Sequence, residues 1–289
     1  MTPETVADLA AGLGAAGYLT DDALATALFL AVRMRQPILL EGEPGVGKTQ
    51  AAKSLATALD TPLIRLQCYE GLSSSDALYE WNYPRQLLGI RLAESRGEAL
   101  AEADLFAPGY LLARPLLAAI EHAGPRPAVL LIDEVDRADD EFEAFLLELL
   151  AESAVTIPEL GTRRAVVPPV VVLTSNRTRE LHDALKRRCL YHWIAHPPAE
   201  QVAAIIRLRV PDVTEWLASR VAGAVDRMRG FGLYKPPGVA EAISWATALH
   251  VLGASDVDTT GTRHTLSAVL KYEEDRVVAV QRLAEVTGE

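Results

Sequence analysis

One octapeptide constrains this chain more than any other stretch. Gly42-Glu43-Pro44-Gly45-Val46-Gly47-Lys48-Thr49 fits the pattern G-x-x-x-x-G-K-[ST]. The apolar run Pro37-Ile38-Leu39-Leu40 before it reads as a short strand. Ala51, Ala52, Leu55 and Ala58 after it carry helical spacing. A glycine-rich turn between a strand and a helix is the context in which such a loop cradles phosphates. The residue types follow from that task. Glycine lets the backbone take positive φ and approach phosphate oxygens closely. Successive N–H groups and a helix N-terminus supply partial positive charge. Lys48 adds a full charge for the β- and γ-phosphates, and Thr49 offers a hydroxyl to Mg²⁺. Gln50, the next residue, is counted with the nucleotide-binding set.

The charge balance makes that loop conspicuous. Lys and Arg number 28 and Asp and Glu 39, which leaves 28 − 39 = −11 at neutral pH. An acidic chain is a poor binder of duplex nucleic acid, which wants a basic face, so a polyanionic ligand must be held locally. Over 289 residues, 49 % are hydrophobic and 23 % charged. These values exclude a disordered or collagen-like chain, and the length suits one large domain or two smaller ones. Cys68 and Cys189 are too few for a disulfide framework and point to a reducing compartment. The start, Met1-Thr2-Pro3-Glu4, has no basic region ahead of its apolar residues, so no signal peptide is expected. No apolar run approaches the ~20 residues that span a bilayer. A cytoplasmic protein without a membrane span is expected.

The rest of the chain alternates. Residues 3–34 read as helices, with Asp21 or Asp22 capping the second. Strands are expected at 37–40, 63–68, 128–132, 170–174 and 191–195, and helices at 115–122 and 140–152. A hairpin is expected over 155–161, and residues 69–112 are a mixture of turn residues and aromatics. Five strands alternating with helices predict an α/β fold, a mostly parallel sheet covered on both faces. After Pro197-Pro198 the strand signals stop and the chain reads as helical. The predicted domains are therefore 1–196, α/β and nucleotide-binding, and 197–289, a small helical domain.

Two further strand ends carry chemistry. Val129-Leu130-Leu131-Ile132 runs into Asp133-Glu134. Asp133 is placed to complete a Mg²⁺ shell, and Glu134 to polarise an attacking water as general base. Val171-Val172-Leu173-Thr174-Ser175 ends at Asn176, which either holds that water or touches the γ-phosphate, or else caps the next turn. Lys186-Arg187-Arg188 follow on an apparent helix. They are either a solvated basic end or, in an oligomer, the source of an arginine finger for a neighbour's γ-phosphate, Arg188 before Arg187.

Together these residues resemble the AAA+ ATPases. Gly42–Thr49 matches Walker A, Asp133 and Glu134 Walker B, Asn176 sensor 1 and Arg188 the arginine finger, with a helical lid after them. More narrowly the chain resembles the MoxR group and its CoxD-type ATPases, linked to carbon monoxide dehydrogenase maturation. Residues 66–71, 77–86, 157–161 and 174–183 carry that narrower likeness. The resemblance implies an AAA+ core with a five-stranded parallel sheet and a helical lid. It implies a hexameric ring with ATP and Mg²⁺ at subunit interfaces, and a von Willebrand factor A domain partner. It also implies chaperone-like maturation of a protein client such as a molybdenum hydroxylase. One departure stands out. The group places a sensor 2 arginine in a Pro-x-Arg context, where this chain reads Tyr234-Lys235-Pro236-Pro237-Gly238-Val239. Lys235 is the cation nearest that place.

Three other features are weighed against blander readings. Cys189-x-x-His192-x-x-x-His196 has metal-like spacing, but residues 189 and 192 of a strand face opposite sides; a structural role is favoured. Tyr79, Trp81 and Tyr83 alternate either as a core hairpin or as an exposed contact loop. Glu141–Glu152 reads as an amphipathic helix with a wet acidic face. Two rivals to the client-remodelling ATPase remain: a ring motor on nucleic acid, disfavoured by the charge, and a nucleotide-switched binding module with negligible turnover.

Overall fold

A computed structural model describes residues 3–99 and 101–288. Its strands are β1 (Ile38–Glu41), β2 (Leu63–Gln67), β3 (Tyr79–Trp81), β4 (Leu111–Ala113), β5 (Val129–Asp133), β6 (Ala154–Ile157), β7 (Gly161–Arg164), β8 (Val170–Ser175) and β9 (Leu190–Trp193). Two compact units divide the chain. The first holds residues up to Gly12, Asp21–Glu41 and Ala52–His192; the second holds Leu13–Thr20, Gly42–Ala51 and the chain from Trp193 onward.

The first unit is built on a five-stranded sheet in the order β2-β5-β8-β1-β9. β2 with β5, β5 with β8 and β8 with β1 all pair in parallel. Every residue of β1, β5 and β8 is buried, as strands covered on both faces require. Leu66, Ile132, Leu173 and Leu39 stand in one row across the sheet. They join a core with Leu116, Leu117, Phe142, Leu146 and Leu185. A parallel sheet sends all its carboxyl ends to one edge, where ligands of open α/β sheets sit. Glu41, Gln67, Asp133 and Ser175 end the four strands there.

The helix Asp140–Glu152 begins on Asp139, whose Oδ1 accepts the Phe142 N–H at 2.9 Å. Its acidic face is not wholly wet. Glu143 is 1 % exposed; it pairs with Arg179 and accepts the His182 N–H at 2.9 Å. The expected hairpin forms as β6 and β7, antiparallel, with Val155 opposite Arg163.

Residues 69–112 hold more order than their mixed composition suggests. β3 pairs antiparallel with β4, Trp81 opposite Leu111, and Trp81 packs edge-on to Phe106 at 5.2 Å. The aromatic alternation ends at Trp81. Asn82 caps a helix, Tyr83–Arg96, by accepting the Arg85 N–H at 3.1 Å, and Pro84 fits its first turn. Tyr83 therefore lies on a helix, where it is exposed, as are Leu87, Leu88 and Leu92. The stretch combines a small hairpin and an exposed aromatic, part of each alternative.

In the second unit the regular elements among the described residues after Trp193 are all helices: Ala199–Arg209, Glu215–Arg229, Val239–Val251, Thr259–Val269, Glu273–Gln281 and Leu283–Thr287. Trp245 is fully buried in their core, among Val221, Val225, Met228, Leu249 and Leu266. Its Nε1 donates to Thr265 Oγ1 at 2.8 Å. Among the described residues no helix is long and apolar enough to cross a membrane.

Candidate nucleotide site

The glycine-rich loop follows β1 directly and opens the helix Lys48–Ala58. Gly42, Gly45 and Gly47 take φ of 158°, 82° and 101°, the left-handed half of the map that their lack of a Cβ permits. Gly42 has a second reason: a Cβ there would stand 2.3 Å from the Ile194 carbonyl oxygen. Lys48 is 6 % exposed. Its Nζ donates to Gly42 O at 2.7 Å and Glu43 O at 2.8 Å, so the ammonium is held over the loop by the loop's own backbone. Glu43 Oε2 is 2.9 Å from His196 Nε2. Thr49 and Gln50 sit in the first helical turn.

The carboxylates form a second arrangement, wholly within the first unit. Asp133 is 1 % exposed. Its Oδ1 accepts from Thr174 Oγ1 at 2.6 Å. Its Oδ2 accepts from Arg65 Nε at 3.0 Å and Nη2 at 2.6 Å. The Thr174 hydroxyl also accepts the Glu134 N–H at 2.8 Å, tying both acids to β8. Glu134 adopts φ 55°, which turns its side chain out of the strand direction. Its Oε2 accepts from Gln67 Nε2 at 3.2 Å and lies 3.4 Å from Arg137 Nε. Asp136, 2 % exposed, accepts the Asn176 N–H at 3.2 Å, the Thr178 N–H at 2.8 Å and the Thr178 hydroxyl at 2.7 Å. One buried carboxylate thus fixes the turn that carries Asn176 to the turn that carries Glu134.

Asp133, Glu134 and Asn176 therefore stand together at the strand ends, as their positions in sequence suggest. Arg187 and Arg188 lie beyond the helix Asp183–Lys186 and are exposed. Arg188 Nη1 donates to Ala184 O at 3.1 Å. Six residues of the arrangement carry no role in the sequence reading: Arg65, Gln67, Thr174, Asp136, Arg137 and Thr178. A signal for two of them exists. Arg65 and Gln67 alternate with Ile64 and Leu66, so they share one face of β2. In a strand bound for a core, a polar alternate face marks a neighbour with charge.

Cys68 and Cys189 are buried. Burial, and for Cys68 the nearby Asp133, Asp136 and Glu134, pushes each thiol up to about 12. The raised value stabilises the fold only while an unfolded thiol, near 8.5, would stay protonated. That contribution is lost as pH rises from about 8.5 toward 12. At pH 8 the native protein is expected to take up no iodoacetamide at either cysteine over an hour, and both are expected to react in denaturant. Mass spectrometry reads the difference. His196, the last member of the metal-like spacing, is engaged with Glu43.

A hydroxyl from Thr49 and a carboxylate from Asp133 are hard oxygen donors, which suit Mg²⁺. A parallel sheet with this loop after its first strand defines a P-loop nucleoside triphosphatase. Residues 37–189, more than half of the chain, match the AAA domain, dynein-related subfamily. The protein belongs to that family: it is an AAA+ ATPase, which binds ATP with Mg²⁺ and hydrolyses it. A stretch of 129 residues is 34 % identical to a Lon protease of Halothermothrix orenii and covers 42 % of this chain. It spans 13 % of that relative. Among solved structures, the Thermotoga maritima RuvB Holliday junction branch migration motor aligns over 86 % of this chain and 69 % of its own, at 20 % identity and TM-score 0.50. A point variant of the same motor gives 0.52 at 20 % identity, over 86 % of this chain and 70 % of its own. At that identity the likeness is one of fold.

Proposed function

We propose that this ATPase remodels or matures a protein client as a MoxR-type AAA+ protein, in a homo-oligomeric ring and with a von Willebrand factor A domain partner. The observation that carries its chemistry is the Asp133–Glu134–Thr174–Asn176 arrangement. It offers a metal-binding carboxylate and a water-activating carboxylate on adjacent residues, and the hydroxyl of Thr174 ties the two together by donating to the Asp133 carboxylate and accepting the Glu134 backbone N–H.

In the proposed division of labour, Lys48 and the amides of Gly42–Thr49 hold the phosphates, with Pro44, Val46 and Gln50 completing the loop. Thr49 and Asp133 hold Mg²⁺, which when bound neutralises charge on the phosphates. Glu134 takes the proton of the attacking water and Asn176 orients that water. Arg188 serves the adjacent subunit, because its exposed guanidinium lies past the end of its helix. Residues 1–196 carry the nucleotide chemistry and 197–289 form the lid. The net charge of −11 favours a protein over a nucleic acid as the object of the work, and a protein client suits a cytoplasmic setting. AAA+ ATPases typically form oligomeric rings, and the exposed apolar side chains of Tyr83, Leu87, Leu88 and Leu92 on one helix support a protein-contacting role.

Mixing tests the shared site. Arg188→Ala and Lys48→Ala chains should each be nearly inactive alone. Combined, they should recover a measurable fraction of phosphate release, because some interfaces then pair an intact Lys48 with an intact Arg188. No recovery on mixing rules out Arg188 as a donor in trans. Stimulation of phosphate release by the partner and client together tests the remodelling role.

A further inference from the structure

The lid lacks an arginine at 236–239, yet the second unit contains a direct contact between that segment and the phosphate-binding loop. Val239 N–H donates to Gly45 O at 3.1 Å. Val239 is the first residue of the helix Val239–Val251, and Gly238 is its cap. The two backbones touch. A Cβ on Gly238 would lie 2.8 Å from Gly45 Cα and 3.0 Å from Gly45 O, and one on Gly45 would lie 3.1 Å from Gly238 Cα. The Glu241 carboxylate accepts the Gly238 N–H at 3.0 Å and so fixes the cap. Arg229 holds the segment from behind, Nε donating to Pro237 O at 2.9 Å and Nη1 to Pro197 O at 3.2 Å.

A planar trans peptide points its C=O and N–H in opposite directions. The carbonyl of Gly45 shares its peptide plane with the N–H of Val46. A carbonyl tied to Val239 therefore turns the Val46 N–H away from the lid helix. In a loop whose anion affinity comes from convergent N–H groups, the direction of one amide matters. We propose that Gly238 and Val239 are positioning residues for phosphate binding. Their contact with Gly45 sets the orientation of the Gly45–Val46 peptide, and through it the lid acts on nucleotide affinity by backbone rather than by an arginine. The proposal rests on the reading of Gly42–Thr49 as the phosphate-binding loop.

One substitution removes the donor and little else. Proline lacks an N–H but is favoured at the first helical position, where that N–H has no partner inside the helix. Gly238 is extended, at φ −85° and ψ −172°, as a residue before proline should be. Binding of N-methylanthraniloyl-ADP with Mg²⁺ is measured by fluorescence on wild type, Val239→Pro, Gly238→Ala, Thr259→Pro and Lys48→Ala. Thr259 opens a different lid helix, Thr259–Val269, so its proline controls for the substitution itself. Val239→Pro and Gly238→Ala should each weaken binding roughly tenfold. Thr259→Pro should match wild type, and these three variants should melt within a few degrees of it. Wild-type affinity in both Val239→Pro and Gly238→Ala overturns the proposal, as does an equal loss in Thr259→Pro. If Val239→Pro fails to fold, Gly238→Ala decides alone. If Lys48→Ala binds as tightly as wild type, the reading of the loop itself fails; an intact loss there with normal binding in the lid variants refutes only the contact.

Discussion

Glu134→Gln is expected to bind ATP as tightly as wild type and to hydrolyse it about 10² to 10⁴ times more slowly, the contribution of a positioned general base. Glutamine keeps the volume and can still meet Gln67, whose Nε2 now contacts Glu134 Oε2 at 3.2 Å. It cannot accept the proton of water. Asp133 keeps its bonds to Thr174 and Arg65, so the carboxylate proposed to hold Mg²⁺ is left in place. Single-turnover phosphate release and binding of a fluorescent nucleotide separate the two effects. Near-normal turnover would move the general base elsewhere. A loss of binding equal to the loss of rate would show that Glu134 holds the nucleotide rather than the water.

Trp245→Ala should have the largest effect on stability, about 3 to 5 kcal/mol. The indole is fully buried in the helical unit, and its removal leaves a cavity among Val221, Val225, Met228 and Leu249. Trp245→Phe should cost less, about 1 to 2 kcal/mol. It fills part of the volume, and Thr265 Oγ1 retains its bond to Gly261 O at 2.7 Å. Urea unfolding monitored by circular dichroism gives both values. A midpoint for Trp245→Ala within error of wild type would mean that the helical core does not depend on this residue.

The chain shows which parts of such a protein are legible before its fold is known. Three strands of the central sheet, β1, β5 and β8, are short buried runs of apolar residues that end in polar ones, and all five lie within two residues of their expected places. The helix Asp140–Glu152 is found at its expected ends because Asp139 caps it through a bond three residues long. Local signals suffice where the cause is local. The partners of the acids are different. Arg65 meets Asp133 across 68 positions and Thr174 meets it across 41, so pairing of strands, not spacing in sequence, creates those contacts. Glu143 reads as one more acid on a wet face; it is buried because Arg179, 36 residues on, comes to it. The helix Tyr83–Arg96 was hidden by its own start, an aromatic alternation that ends only because Asn82 and Pro84 favour a cap.

Asp275 adds a mechanical consequence. It is 2 % exposed, and its two oxygens accept the N–H groups of Tyr234 at 2.7 Å and Lys235 at 3.1 Å. Lys235 is thereby anchored through its backbone. Five residues farther from Tyr234, Val239 is bonded to Gly45. Between these two anchors stand Pro236 and Pro237, whose rings fix φ, and the Pro237 carbonyl is itself gripped by Arg229. The segment is a strut, short, stiff and fastened at both ends. A slack linker would absorb a shift of the phosphate loop. A segment pinned at Asp275 and at Gly45, with two prolines between, has less freedom to do so.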